Sequence, residues 1–128
     1  MTAPSPGMPV RGSRTGRPIM AALDLLGRRW ALRVIWELRD GPIGFRPLQQ
    51  RCDNMSSSVL RVRLAELEDA TLVQRTDDAG YELTPMGHKL RTAIHPLTNW
   101  ADAWANAVAH RPSADTGSVD DESFGEDR

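Results

Sequence analysis

With 128 residues, a net charge of −1 and one cysteine, the chain has room for one compact domain. It cannot form an intrachain disulfide, and it has no overall basic charge from which to argue nucleic-acid binding. It is 40% hydrophobic and 26% charged, enough to bury a core, while no apolar run nears the roughly 20 residues of a membrane-spanning helix. The N-terminus lacks an apolar signal core, and the lone Cys52 fits a reduced, cytoplasmic setting with no membrane partner.

In chain order, Ile19–Leu26 follows Pro18 and reads as a short helix closed by Gly27 as a left-handed cap. Trp30–Arg39 is apolar nearly all round, which predicts a buried second helix ended by Asp40-Gly41-Pro42. A short extended stretch, Ile43–Phe45, leads to a third helix with Pro47 at its first position, and Asp53-Asn54 makes a turn. Ser56 is a natural N-cap for a fourth helix reaching about Ala70. On that helix Leu60, Leu64 and Leu67 recur at i, i+4, i+7 and define the buried face, so Ser58, Val62 and Ala65 point outward with Arg61 beside them.

Leu72–Thr76 and Tyr81–Leu83, around the turn Asp77–Gly80, predict a β-hairpin. Thr84 and Pro85 start a last helix whose apolar residues (Leu90, Ile94, Leu97, Ala101, Trp104, Val108) follow a heptad-like seam, widened by Trp100 and kinked or divided by Pro96. The expected fold is mainly α with a small β-hairpin: a winged helix-turn-helix.

Charge is unevenly spread. Residues 1–18 carry only Arg11, Arg14 and Arg17, whereas residues 111–128 carry six acids against two arginines. The expected organisation is a flexible basic arm over 1–17, a folded domain over 18–110 and a disordered acidic tail over 111–128. The middle sums to zero, yet residues 45–63 set Arg46, Arg51, Arg61 and Arg63 against Asp53 alone.

The segments Ala22–Trp30, Gly44–Leu48, Val59–Glu68, Tyr81–Gly87 and Trp100–Trp104 together resemble the HxlR family of bacterial transcriptional regulators, relatives of the MarR group. The resemblance implies a homodimeric winged-helix protein that binds promoter DNA, commonly as a repressor, with its dimer contact on the terminal helices. Three departures stand out. Arg17 takes the place of the redox-active cysteine often found before the first helix. Thr71 follows the recognition helix where glycine is common. Ser58 stands where lysine is frequent.

Double-stranded DNA carrying a palindromic operator is therefore the expected partner, beside a second copy of the chain. The candidate DNA-binding residues are Arg46, Ser57, Ser58, Arg61, Val62, Arg63 and Arg75. Arg61 suits guanine, Val62 a thymine methyl, Arg46 and Arg75 phosphate, while Arg63 sits nearer the core and suits a salt bridge or a phosphate. The candidate dimer contacts are Ile19, Leu23, Leu90, Ile94, Leu97, Trp100, Ala101, Trp104 and Val108. Trp30, Trp36, Trp100 and Trp104 suit core packing or an aromatic-lined pocket for a small apolar effector. Cys52 beside Asp53 is expected to be an unreactive thiol, because a carboxylate raises its pKa. The three histidines lack the spacing of metal ligands, so no metal or other cofactor is expected. No nucleophile, P-loop or paired-carboxylate motif suggests an enzyme. The alternative function is a winged-helix scaffold that has lost DNA binding and holds a small molecule or another protein.

Overall fold

The computed structural model describes residues 17–112 and Pro6. The basic arm and acidic tail expected at the ends therefore lie, apart from Pro6, Arg17, Arg111 and Pro112, outside the described residues. The elements are α1 (Pro18–Leu26), α2 (Ala31–Glu37), β1 (Ile43–Gly44), α3 (Phe45–Arg51), α4 (Ser57–Asp69), β2 (Val73–Arg75), β3 (Gly80–Leu83), α5 (Pro85–Ile94) and α6 (Leu97–Ala109). They form two compact units, one ending at Ala93 and one beginning at Ile94.

The first unit is built around one apolar cluster. Val34, Ile35 and Leu38 from α2 and its end, Leu48 from α3, and Leu60, Leu64 and Leu67 from α4 are all almost fully buried. The α4 leucines are the i, i+4, i+7 set, so helical periodicity alone selects the face of α4 that meets α2 and α3. Leu72, Val73, Tyr81 and Leu83 close the cluster from the strands. Each such side chain contributes about 1.5–3 kcal/mol by leaving water.

The expected hairpin is present, with Val73, Gln74 and Arg75 of β2 opposite Leu83, Glu82 and Tyr81 of β3. The extended stretch before α3 joins it: Ile43 and Gly44 pair antiparallel with Tyr81 and Gly80, giving a three-stranded sheet in the order β1-β3-β2. Three expectations at helix ends are corrected. Gly27 is not left-handed (φ −78°); a Cβ there would lie 2.9 Å from the Leu23 carbonyl oxygen, and that close approach is what requires glycine. Trp30 lies outside α2 as its N-cap, at φ 76°, a left-handed backbone conformation that a continuing helix does not have. Pro47 is the third residue of α3, not the first, since Gly44 caps the helix and α3 begins at Phe45. Proline is tolerated there because a helix's first N–H groups have no intrahelical partner.

At the end of α4, Thr71 takes the left-handed conformation (φ 64°) that glycine usually supplies. The Leu72 N–H donates to the Leu67 carbonyl and the Thr71 N–H to the Glu68 carbonyl, the paired bonds of a Schellman cap. The chain thus keeps the ordinary helix end with an unfavourable residue in it. The corner is braced from α5. The Thr84 hydroxyl donates to the Thr71 carbonyl at 2.6 Å and accepts from the Gly87 N–H at 3.0 Å. Gly87 is needed because a Cβ there would overlap the Leu72 carbonyl oxygen.

In the second unit, Pro96 does divide the terminal helix: α5 ends at Ile94 and α6 starts at Leu97. None of the residues of α6 is buried.

Candidate nucleic-acid interface

Helices α3 and α4, joined by a turn, form the helix-turn-helix. Asp53 and Asn54 both adopt positive φ in the turn, which short polar side chains accept more readily than others. Gln49 braces it by donating its amide to the Met55 carbonyl at 2.8 Å. Ser56 caps α4, its hydroxyl accepting from the Val59 N–H at 3.3 Å and lying 2.8 Å from the Ser58 hydroxyl. Ser57, Ser58, Arg61, Val62 and Ala65 are exposed, so the outward face read from the helical wheel is outward in the structure.

A groove of about 530 Å³ runs along this face. Phe45, Arg46, Gln49, Gln50, Asn54, Ser57 and Arg61 line it. It contains two arginines and no acidic side chain. Sequence reasoning missed Phe45, Gln49, Gln50 and Asn54. Gln50 is exposed on α3, where Leu48 is buried, but exposure alone does not mark the groove side, since the exposed Pro47 and Arg51 do not line it. The role of Phe45 was not readable, because its ring meets a guanidinium 16 positions away. The Arg61 guanidinium carbon stands 4.4 Å from the Phe45 ring centroid, in cation–π geometry.

Two of the three acids in the second half of α4, Glu66 and Glu68, are engaged within the fold. Glu66, almost fully buried, accepts from Arg28 at 2.6 Å and also pairs with Arg63 on its own helix. Arg28 in turn reaches Asp24 of α1 at 3.4 Å. Arg63 is therefore a structural ion-pair residue, one of the two roles expected of it. Glu68 lies 3.4 Å from Arg75, whose guanidinium also stands 5.5 Å from the Tyr81 ring. Arg75 is thus placed between α4 and the wing and remains largely exposed. Arg61 joins none of the ion pairs among the described residues.

Cys52 is fully buried in the core cluster. Burial pushes its thiol pKa up; Arg33 opposes this, while Glu37 and Asp53 add to it. The expected direction holds, but burial, not the neighbouring carboxylate, is its main cause.

The candidate dimer contacts behave unevenly. Ile19 and Leu23 on α1, and Leu97, Trp100, Trp104 and Val108 on α6, are 45–58% exposed. Leu90 instead packs partly buried against the core, because it is the inward residue of α5. Trp100 and Trp104 stack with ring centroids 5.6 Å apart. Of the other two tryptophans, Trp30 packs against the core, and Trp36 lies beneath the Arg39 guanidinium at 4.2 Å. An apolar cavity of about 640 Å³ does exist in the first unit. It lies against Ala22, Leu25 and Leu26 of α1, Thr71 at the α4 corner, and Met86 and Leu90 of α5, with no tryptophan in its lining.

A family model described as HxlR-like helix-turn-helix matches residues 25–109. The chain belongs to this family. The HTH-type transcriptional regulator YodB of Bacillus subtilis (strain 168) is 33% identical over 88 residues, covering 64% of this chain and 79% of that protein. The crystal structure of quinone-bound YodB is similar with 34% identity and a TM-score of 0.62, covering 66% of this chain and 96% of that one. A MarR-family transcriptional regulator from Enterococcus faecalis V583 is similar with 30% identity and a TM-score of 0.63, covering 73% and 90%. The HxlR-family chain is thus a transcriptional regulator with a DNA-binding helix-turn-helix and a winged-helix fold. Among the described residues no helix is long and apolar enough to cross a membrane.

Proposed function

We propose that this HxlR-family chain acts in the cytoplasm as a homodimeric, sequence-specific repressor. In this reading α4 enters the major groove, and a small apolar molecule controls its binding. The observation that carries the DNA-binding part is the acid-free groove with Arg46 and Arg61 on its wall. Arg61 reads a base edge, Ser57, Ser58 and Val62 approach the groove floor, and Arg46 and Arg75 contact phosphate. Arg63 contributes indirectly, by fixing Glu66. Two of the acids of α4, Glu66 and Glu68, are already paired with arginines, and Asp69 lies at the far end of the helix from Ser57, so these acids give little support to a scaffold that has lost DNA binding.

The exposed apolar row of α6 supports a twofold pairing, because a monomer gains nothing by exposing two tryptophans, a leucine and a valine on one helix. The paired recognition helices then require half-sites about 10 bp apart on a palindromic operator. The effector reading rests on the α1–α5 cavity, which offers an apolar wall, and on the similarity to YodB, whose solved structure holds a quinone. Arg17 before α1 and the buried Cys52 leave no exposed thiol among the described residues, so reversible apolar binding fits better than thiol chemistry.

The test is a gel shift on duplexes selected by the protein from a random library. Binding should weaken steeply with salt. The substitution Arg61→Ala should cost about 1–3 kcal/mol and relax selectivity at one base pair per half-site. Equal weakening on every sequence would reduce Arg61 to a phosphate contact.

A further inference from the structure

The groove arginine with the clearest route to a base is also the one with an aromatic support. Arg61 carries a long, flexible side chain that loses rotamer freedom whenever it is held in one pose. On most exposed helix faces such a side chain settles against a carboxylate three or four positions away. Here that outcome is closed off: the residues three and four positions from Arg61 are Ser57, Ser58, Leu64 and Ala65, and the more distant Glu66 and Glu68 are paired with other arginines. The guanidinium lies instead over Phe45, at the first turn of α3, 4.4 Å from the ring centroid. The ring is held in turn, being partly buried against the core cluster.

From this geometry we infer that Phe45 is a positioning residue for DNA recognition: its ring holds the Arg61 guanidinium in the pose that meets the duplex. Stacking uses the face of the guanidinium and leaves its N–H edge for hydrogen bonds, so the arginine is oriented without being neutralised. An ion pair would use that edge and compete with the base. Less rotamer freedom is then lost on binding, and the gain appears at the base that Arg61 reads. This inference rests on the reading of Arg61 as a DNA contact, and the experiment separates the two.

The variants are Phe45→Leu, Phe45→Tyr, Arg61→Ala and the double variant Phe45→Leu/Arg61→Ala, each first checked by thermal unfolding. Dissociation constants are measured on the selected duplex and on a random duplex. Loss of selectivity in Arg61→Ala tests the base-reading role by itself. For Phe45, the expected results are a loss of about three- to tenfold on the selected duplex in Phe45→Leu, little change on the random duplex, and near-normal binding in Phe45→Tyr. In the Arg61→Ala background, Phe45→Leu should add nothing further. In the free protein, the Arg61 Hε resonance should be shifted upfield by the ring in the wild type and in Phe45→Tyr, and should return in Phe45→Leu. Independent, multiplying losses in the double variant, or an Arg61 resonance indifferent to the ring, would overturn the inference. A wild-type chain that selects no duplex at all would remove the DNA reading and the inference together.

Discussion

Helices α4 and α6 have the same length, 13 residues, and similar apolar spacing, yet they end in opposite environments. Leu60, Leu64 and Leu67 of α4 are at most 1% exposed, whereas Trp100 and Trp104 of α6 are 58% exposed. The difference is one of neighbours. Helix α4 follows α3 after a short turn and precedes a hairpin that folds back, so its apolar stripe is covered by its own chain. The stripe of α6 comes last, after Pro96 has ended α5, and no residue of α6 is buried. Periodicity therefore states which face of a helix is apolar, and the rest of the molecule states what covers it.

The contrast can be broken at its strongest point first. Leu64→Ala should destabilise the fold by about 2–5 kcal/mol, read from denaturant unfolding, because it opens a void in a closed cluster. The buried ion-pair group should come next. Removing the carboxylate in Glu66→Ala leaves the Arg28 and Arg63 guanidinium groups facing each other in a mostly dry site, and a loss of about 3 kcal/mol is expected. A change within about 0.5 kcal/mol would show that water reaches that site.

On the other side of the contrast, Trp104→Ala should leave the unfolding of the first unit unchanged. It should weaken self-association by about 2 kcal/mol, roughly 30-fold in the dimer dissociation constant by sedimentation. Equal sedimentation of wild type and variant as monomers would end the dimer reading. The smallest effect is a gain. Thr71→Gly should stabilise the chain by about 1 kcal/mol, since the position already has φ 64° and its cap bonds are made by the backbone.

Much of the candidate site was legible from residue patterns. The three α4 leucines fixed the wheel, and the wheel placed Ser58, Arg61 and Val62 outward, where they are found. The serine cap and the division at Pro96 were legible too, because both are local chemistry. Contacts between distant positions were not. Nothing in the spacing pairs Phe45 with Arg61, Arg28 with Glu66, or Ile43 with Tyr81. The late acids of α4 illustrate the limit. As a one-dimensional pattern they run against the helix dipole, whereas in three dimensions arginines of the same chain pair with Glu66 and Glu68.

The amino-acid order by itself determined the elements, the apolar face of α4 and α6 and the family, because periodicity, caps and turn chemistry act over a few residues. Tertiary structure alone decided which arginines are consumed by carboxylates and which, like Arg46 and Arg61, line an acid-free groove instead. That choice depends on how α2, α3 and the wing surround α4, and the free energy of an ion pair is set by distance and burial, neither of which is written in the spacing of charges along a chain.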